Sequence, residues 1–301
     1  MKKVITKKRI SVIILFLMFL ALSNFQLLAQ KAPPELTVHA SGAISTYCFQ
    51  PTVKGSSIGY NSDLGVGFTG FFNRQLGINV GAGFGLFNVK SKATTLNTIT
   101  PGLFDNANGL AYDLYTTLSG YTEIHKSLYI NIPVMLLFQT KQTQYLSWKQ
   151  AQRASFYTMG GLKMLFLFNN KYEAGVESIS TAAYYTELKN WAATQAFAGL
   201  GYFDAGYNSS DKMDFGIMIA VAVELGVKWR IDNSLSIYTG AFFECGLNDP
   251  IKDNRKPYEN YIYEDNLKND LIIMKFADRA NLMTVGIKLR FAFSKRQRSY
   301  Y

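Results

Sequence analysis

The chain has 301 residues, a formal net charge of +10, 48% hydrophobic residues and 17% charged residues. No run of about 18 apolar residues occurs after residue 29, which excludes a helical membrane protein. The basic excess comes without a basic helix or a platform for stacking bases, so nucleic-acid binding is not expected. The histidines and cysteines, His39, His125, Cys48 and Cys245, lack the spacing of a metal site, so neither a metal nor a cofactor is expected.

Residues 1–29 have the features of a secretory signal peptide. The basic segment at its start contains Lys2, Lys3, Lys7, Lys8 and Arg9. An apolar core follows over residues 10–22; as a helix it would reach roughly 20 Å, less than the ~30 Å thickness of a bilayer core. The small residue Ala29 suits a cleavage site. We therefore predict a mature chain, 30–301, that forms a single β-barrel domain and has lost five positive charges.

The clearest strand signal lies at residues 215–230. The odd positions from Phe215 to Trp229 are all apolar, whereas the even positions hold small or charged residues. Successive side chains on a strand point to opposite faces, so this stretch predicts one long strand with an apolar face and a small or charged face. It exceeds the ~9–11 residues that a tilted membrane crossing needs.

Similar alternation recurs along the chain and predicts ten strands. They cover residues 36–49, 60–73, 76–90, 111–124, 128–139, 154–168, 172–180, 215–230, 235–247 and 281–293. The stretch 172–180 has the weakest pattern, and a short helix is predicted around residues 186–193 in the connection that follows it.

The predicted connections alternate between short and long. The short ones are residues 73–75, 125–127, 169–171 and 232–234. The long ones are residues 50–59, 91–110, 140–153, 181–213 and 248–280. This alternation is typical of outer-membrane barrels, which have short periplasmic turns and long extracellular loops. We therefore predict an all-β, antiparallel transmembrane β-barrel of about ten strands, with eight as the alternative.

Alternation alone also fits a soluble barrel whose apolar face points inward. Three features favour the membrane orientation. Most predicted strands are longer than the ~5–6 residues common in soluble proteins. Aromatic residues are predicted at the periplasmic ends of four strands, where outer-membrane barrels carry an aromatic girdle: Phe72, Phe168, Trp229 and Phe293. The face opposite the apolar one carries charges, which suit an enclosed polar lumen.

Those charges form the first candidate site. They are Lys163, Glu224, Lys228, Glu244, Lys288 and Arg290. The lumen of a small barrel is narrow, so opposite charges on its wall are expected to pair across it and to close the interior. A row of solvated, unpaired charges is the alternative.

Two short segments carry a family resemblance: the strand start Tyr-Ile-Asn-Ile-Pro-Val at residues 129–134 and the ending Gly-Ile-Lys-Leu-Arg-Phe-Ala-Phe at residues 286–293. Both resemble small bacterial outer-membrane β-barrels of the OmpA transmembrane-domain and PorT-like type. The resemblance implies a barrel over about residues 36–293 and, for the PorT-like type, an accessory part in secretion or assembly. The tail after Phe293 and the absence of a peptidoglycan-binding domain depart from longer relatives.

The leading functional prediction is a non-enzymatic protein of the outer-membrane lipid bilayer whose loops contact an unknown extracellular ligand or protein. The second candidate site is therefore a set of aromatic loop residues: Tyr184, Tyr185, Trp191, Tyr202, Tyr258, Tyr261 and Tyr263. These side chains could equally pack the loops into a lid.

The barrel prediction is also compatible with a narrow channel or an outer-membrane enzyme. Outer-rim catalysis generally needs a histidine, and both His39 and His125 are predicted near the periplasmic end, so we predict no enzymatic activity.

Overall fold

The computed structural model describes residues 33–50, 55–105, 109–140, 154–192, 200–212, 216–232, 234–248 and 279–295. The predicted signal peptide lies outside these ranges. The strands are β1 Glu35–Gln50, β2 Gly55–Phe71, β3 Leu76–Asp105, β4 Leu110–Gln139, β5 Ala154–Tyr185, β6 Asn190–Ala192, β7 Gly201–Lys212, β8 Ile217–Arg230, β9 Leu235–Gly246 and β10 Arg279–Ser294. Among the described residues, no helix has the length and apolar character needed to cross a membrane.

Eight of these strands close into an antiparallel ring. Starting from β1, each strand pairs with the next through β2, β3, β4 and β5. The ring continues from β5 to β8, β9 and β10, and β10 pairs with β1. The short β6 and the longer β7 pair with β5 outside the ring. The predicted antiparallel barrel is confirmed, with eight strands in the ring, as in the alternative count.

A single β-bulge accounts for the two missing strands. The predicted turn at residues 125–127 lies inside β4, and the predicted turn at 169–171 lies inside β5. The pairing of these strands shifts register so that Asn169 and Asn170 face Ser127 alone. Asn169 has a φ of 50°, a left-handed conformation that asparagine tolerates better than most residues. The two predicted turns were therefore wrong, because their polar residues form a bulge between continuous strands.

Two predicted long loops are also largely strand. The predicted loop at 91–110 contains the end of β3 and the start of β4, which pair with each other up to Asp105 and Leu110. The predicted loop at 181–213 contains the end of β5, β6 and β7, and a turn at 186–189 stands where the helix was predicted. Their Thr and Tyr residues suit strands, and pairing with β5 satisfies the backbone of β6 and β7.

The strand directions also change the pattern of connections. β4 ends and β5 begins at the barrel end that holds the start of β1 and the turns at 72–75 and 231–234. The predicted short–long alternation therefore fails at residues 140–153, which were expected at the opposite end. We call the end with the start of β1 the turn end and the other the distal end.

The outer surface of the ring is apolar and the inner surface is polar, small or aromatic. Ile287, for example, is 73% exposed, whereas Glu224 on the inner face is 2% exposed. On β4 the apolar face runs from Leu128 to Phe138, about 11 residues, which at ~3.3 Å per residue and a ~45° tilt covers about 25 Å. We call this outward band around the ring the apolar belt. Its height and polarity are those of a transmembrane β-barrel.

Three of the four predicted girdle aromatics lie at the same end of the barrel. Phe72, Trp229 and Phe293 are exposed at the turn end of the barrel. Phe168 instead lies at the distal edge of the apolar belt, because β5 continues through the predicted turn.

The ring strands have very unequal lengths. β3, β4 and β5 have 30, 30 and 32 residues, whereas the other ring strands have 12 to 17. The three long strands therefore extend beyond the apolar belt at the distal end, by roughly 50 Å along the strand direction. With β6 and β7 they form a sheet that we call the external sheet.

Buried side chains fill the interior in stacked clusters. The cluster towards the turn end consists of Phe71, Met135, Leu137, Tyr157, Met159, Ala222, Tyr238 and Ala292. A larger cluster, which includes Tyr47, Phe87, Tyr121, Tyr129 and Tyr172, continues from the distal half of the ring into the external sheet. A third, at the far end of the external sheet, contains Leu114, Ala183, Tyr185 and Leu200. The core therefore runs from the barrel into the external sheet.

Candidate functional site

The centre of the lumen is organised around Glu224 of β8. Arg290 of β10 donates from Nη2 to both carboxylate oxygens of Glu224 at 2.9 Å. Lys288 Nζ lies 3.2 Å from Glu224 Oε2, and Tyr157 Oη donates to Glu224 Oε1 at 2.8 Å. Bidentate, charge-assisted contacts of this kind hold a buried carboxylate in one position. This group therefore joins β5, β8 and β10 across the lumen.

A second ion pair lies on the distal side of this group. Lys163 of β5 donates to both oxygens of Glu244 on β9, at 3.0 and 3.2 Å. Both side chains are buried. The ammonium of Lys163 also lies 5.9 Å from the centre of the Tyr129 ring, within range of a cation–π contact.

A third ion pair closes the lumen towards the turn end, and sequence analysis missed one of its members. Lys228 donates to Glu35 Oε1 at 2.6 Å, and Tyr238 Oη donates to Glu35 Oε2 at 2.7 Å. Glu35 precedes the predicted start of β1 by one residue. Extending the alternation of Thr37 and His39 back to residue 35 would have placed this carboxylate in the lumen.

A fourth carboxylate was also missed. Asp63 of β2 lies 2.9 Å from Nε2 of His39 on β1 and accepts a hydrogen bond from Nδ2 of Asn131 on β4. In the sequence, Asp63 precedes the outward-facing Leu64 and Val66 and has the opposite parity. The period of two could therefore have placed this carboxylate on the inward face. The luminal contacts thus pair four cations, Lys163, Lys228, Lys288 and Arg290, with three carboxylates, Glu35, Glu224 and Glu244. Asp63 is paired with His39 instead.

The luminal space between these groups is small. A cavity of about 20 Å³ is lined by His39, Asp63, Val66, Gly67, Asn79, Gly81, Asn131, Pro133, Met135, Lys163, Ala222, Glu224, Glu244, Lys288 and Arg290. That volume corresponds to about one water molecule. The aromatic clusters adjoin this polar layer on both sides.

The two histidines have different positions from those predicted. His39 is near the turn end, as expected, but His125 is in the part of β4 opposite Val89 and Tyr172, on the distal side. The expectation for His125 was wrong because residues 125–127 do not end a strand. His125 is fully buried and contacts Glu123 through Nε2, and Tyr121 Oη donates to the other oxygen of Glu123 at 2.6 Å. A side chain so enclosed has no access to an external substrate.

An exposed aromatic group lies on the outward face of the external sheet. The ring of Trp191 on β6 has its centre 4.7 Å from the Tyr115 ring on β4 and 4.9 Å from the Tyr184 ring on β5. Trp191 is 54% exposed. We call these three residues the aromatic platform. Tyr115 was missed because residues 111–124 were predicted to be a membrane-crossing strand and not part of an external surface.

The remaining predicted loop aromatics divide into three groups. Tyr202 is 70% exposed and pairs with Ser180 on the same face of the sheet as Tyr184. Tyr185 is on the opposite face, where it is buried and donates from Oη to Asp105 at 3.0 Å. Tyr258, Tyr261 and Tyr263 lie outside the described residues.

The described residues contain no group of three or more His, Cys, Asp or Glu side chains arranged to hold a metal ion. Cys48 and Cys245 are both free thiols and are on β1 and β9, which are not paired with each other.

The fold resembles several solved outer-membrane proteins at low similarity. Neisserial surface protein A is 12% identical with a TM-score of 0.29, over 85% of this chain and 95% of that one. Ail, the attachment invasion locus protein of Yersinia pestis, is 11% identical with a TM-score of 0.28, over 87% and 100%. The outer membrane protein OprG from Pseudomonas aeruginosa is 11% identical with a TM-score of 0.33, over 88% and 98%. At these TM-scores the likeness assigns neither a family nor an activity to this chain.

No protein-family model matches the sequence, and no curated protein matches it.

Proposed function

We propose that this protein is an integral outer-membrane β-barrel, closed to solutes, that contacts an extracellular partner through its external sheet. The apolar belt supports the membrane location because an exposed apolar surface of this extent suits a lipid environment. The predicted signal peptide at residues 1–29 would direct the mature chain, 30–301, across the inner membrane. The resemblance to OmpA- and PorT-like barrels is part of the same proposal.

The packed lumen supports a closed barrel over a channel. An eight-stranded barrel has an interior just wide enough for side chains to fill. Here four cations pair with three carboxylates, Asp63 contacts His39, and the cavity between these groups is about 20 Å³. Ions would have to displace several buried ion pairs to pass. The proposed role of the charge network is therefore structural.

The burial of the histidines supports a non-enzymatic role. His39 faces the lumen against Asp63, and His125 is fully enclosed with Glu123. Neither side chain is placed at an open cleft in the described part of the molecule, where a general base would have to meet a substrate.

The aromatic platform is the single observation that carries the recognition role. Rigid aromatic side chains provide contact area at a low cost in conformational entropy, and exposed Trp and Tyr are enriched at binding sites. Trp191, Tyr115 and Tyr184 are held by mutual ring contacts on a paired sheet that extends beyond the apolar belt. This arrangement supports the proposal of a preformed contact surface beyond the membrane.

Proteoliposomes that carry the folded protein provide a direct test. They would be applied to arrays of defined glycans and purified extracellular-matrix proteins, with empty liposomes as the blank. We expect saturable binding to at least one class, and the W191A variant should lose at least tenfold in affinity. Leu188→Ala is the matched control, because Leu188 is an exposed apolar residue in the neighbouring turn.

Equal binding by wild type, W191A and empty liposomes on every surface would refute recognition through the platform. Binding that persists in W191A but not in Y202A would place the contact on β7 instead.

A further inference from the structure

We propose that a cluster of lysines on the outward face of β3, β4 and β5 binds the phosphate groups of an anionic lipid in the leaflet around the distal end of the barrel. The cluster consists of Lys90, Lys92, Lys126 and Lys171, all of which are exposed. We call it the lysine cluster. The inference rests on the proposed membrane location and adds a lipid ligand to it.

The lysines lie next to one another across three strands. Lys126 and Lys171 are direct partners in the register of β4 and β5. Lys126 is opposite Asn88 on β3, so Lys90 is its diagonal neighbour, roughly 7–8 Å away between backbones. On the far side, the backbone register sets Lys171 opposite Lys212 of β7. One phosphate-bearing headgroup is large enough to contact side chains from two or three of these strands.

The cluster begins where the apolar belt ends. Lys126 is the first outward position on β4 beyond Leu128, and Lys90 follows Leu86 and Asn88 on the outward face of β3. On β5, Lys171 comes directly after the bulge that follows Phe168. Lysine stems pack along apolar surface while their ammonium groups remain at the polar boundary. Lipid phosphates occupy this same boundary, so the height of the cluster matches the proposed ligand.

The local charge is not balanced by the described protein groups. Lys126 Nζ lies 2.7 Å from Glu173 Oε1, but these side chains are 48% and 51% exposed, so solvent weakens the pair. Glu177 is on the same face farther from the belt, near Gly120. Like charges directly opposite each other on paired strands are unfavourable, and Lys126 and Lys171 have that arrangement. A phosphate bound between the two ammonium groups would attract both of them and offset their mutual repulsion.

The cluster occupies one sector of the barrel. Near the distal edge of the belt, the outward side chains described on β1, β2 and β8 include Ile44, Cys48, Ile58, Tyr60 and Ile217, with no lysine or arginine among them. A protein that needed only general attraction to an anionic surface would gain from charges around the whole ring. Among the described side chains near this edge, the lysines are on β3, β4 and β5, which favours a lipid site on one side of the barrel.

The test is a titration of the folded full-length mature protein in neutral detergent micelles with fluorescent bisphosphorylated lipid A as the probe. Dephosphorylated lipid A and inorganic phosphate are separate arms. The variant K90Q/K92Q/K126Q/K171Q removes the cluster, and K189Q is the matched control, because Lys189 is exposed in the turn after β5. A lysine near an anionic lipid surface contributes roughly a fivefold change in binding.

We expect the four-lysine variant to bind bisphosphorylated lipid A at least a hundredfold more weakly than wild type, and K189Q to remain within twofold. The wild type should bind dephosphorylated lipid A no more tightly than the four-lysine variant does. Binding by the four-lysine variant within twofold of wild type would overturn the proposal. Complete competition by millimolar inorganic phosphate would assign the site to free phosphate and would also overturn the lipid assignment.

Membrane location is checked independently, by fractionating cell membranes and by the heat-dependent gel mobility of each variant. If the four-lysine variant is folded, is recovered in the outer membrane and still binds lipid A, lipid binding by the lysine cluster is refuted and the proposed function is not. Recovery of the wild type outside the outer membrane would refute the proposed function.

Discussion

Arg290 and Glu224 are on strands that do not pair with each other, yet Arg290 Nη2 lies 2.9 Å from both oxygens of the Glu224 carboxylate. The strand between them, β9, contributes Glu244 to the neighbouring pair with Lys163. The lumen is therefore crosslinked in layers, and each layer joins strands that are not adjacent in the ring. Such pairs strengthen the closed form without adding to the hydrogen-bond ladders.

Removal of the Glu224 carboxylate should strongly destabilise the barrel. Glu224→Ala leaves Arg290 and Lys288 buried without their carboxylate partner, which typically costs about 3–5 kcal/mol in the free energy of unfolding. The change would be measured by urea unfolding in lipid vesicles, followed by tryptophan fluorescence and gel mobility.

The exposed pair of Lys126 and Glu173 provides the control for that experiment. Glu173→Ala should change the unfolding free energy by no more than about 1 kcal/mol, because both partners are about half exposed. Equal losses in the two variants would show that burial does not strengthen the Glu224 contacts.

The faces of the strands could be predicted from the sequence, whereas the partners of the luminal charges could not. Alternation with a period of two places Lys163, Glu224 and Arg290 on one face whatever the register between strands. Which carboxylate each cation meets depends on the stagger of strands around the closed ring. This is why Lys228 pairs with Glu35 at the start of β1 and not with Glu224 or Glu244.

The strand number was missed for a related reason. The polar residues at 125–127 and 169–171 have the composition of turns, and each follows a stretch with the alternation of a strand. Only their pairing with each other shows that Asn169, Asn170 and Ser127 form a bulge in two continuous strands. Pairing of β3 with β4 also makes the Thr-rich connection at 91–110 part of a hairpin, although its local composition favours a loop.

The eight-stranded topology makes a prediction about Lys126. In the ten-stranded topology residues 125–127 would be a periplasmic turn, but in the structure Lys126 is exposed at the distal edge of the apolar belt. In a C48S/C245S background, we expect K126C to react with a membrane-impermeant maleimide added to intact cells. R74C, in the turn at 72–75, should react only after the outer membrane is permeabilised. Labelling of K126C only after permeabilisation would restore the ten-stranded topology.

The ion pairs stacked along the lumen predict that the barrel conducts few ions. In planar bilayers, the folded protein should give no steady sub-nanosiemens openings. K163A/E244A should also give none, because the Arg290–Glu224 and Lys228–Glu35 pairs still span the lumen. Insertion is verified beforehand by protease protection in the same lipid. Steady openings of the wild type would contradict a closed barrel, and openings of the double variant alone would assign closure to the Lys163–Glu244 layer.

Gly85 is expected to be intolerant of any side chain. A Cβ atom at this inward position would overlap the phenol ring of Tyr129 and lie 2.6 Å from the carbonyl oxygen of Ser62, which is part of the β2 backbone and has little freedom to move. Overpacking of this kind typically costs about 1–3 kcal/mol. Gly85→Ala should therefore lower the unfolding free energy by that amount in urea titrations of the vesicle-bound protein.

Gly42 is the matched control, since it is on the outward face of β1 and a Cβ atom there would have no heavy atom within 4 Å. Gly42→Ala should stay within about 0.5 kcal/mol of wild type. Replacing glycine by alanine in a strand slightly favours alanine at both positions. A difference between the two variants therefore measures the steric overlap in the lumen. If both variants are as stable as wild type, Tyr129 must be able to move, and the interior next to Gly85 is less tightly packed than the structure indicates.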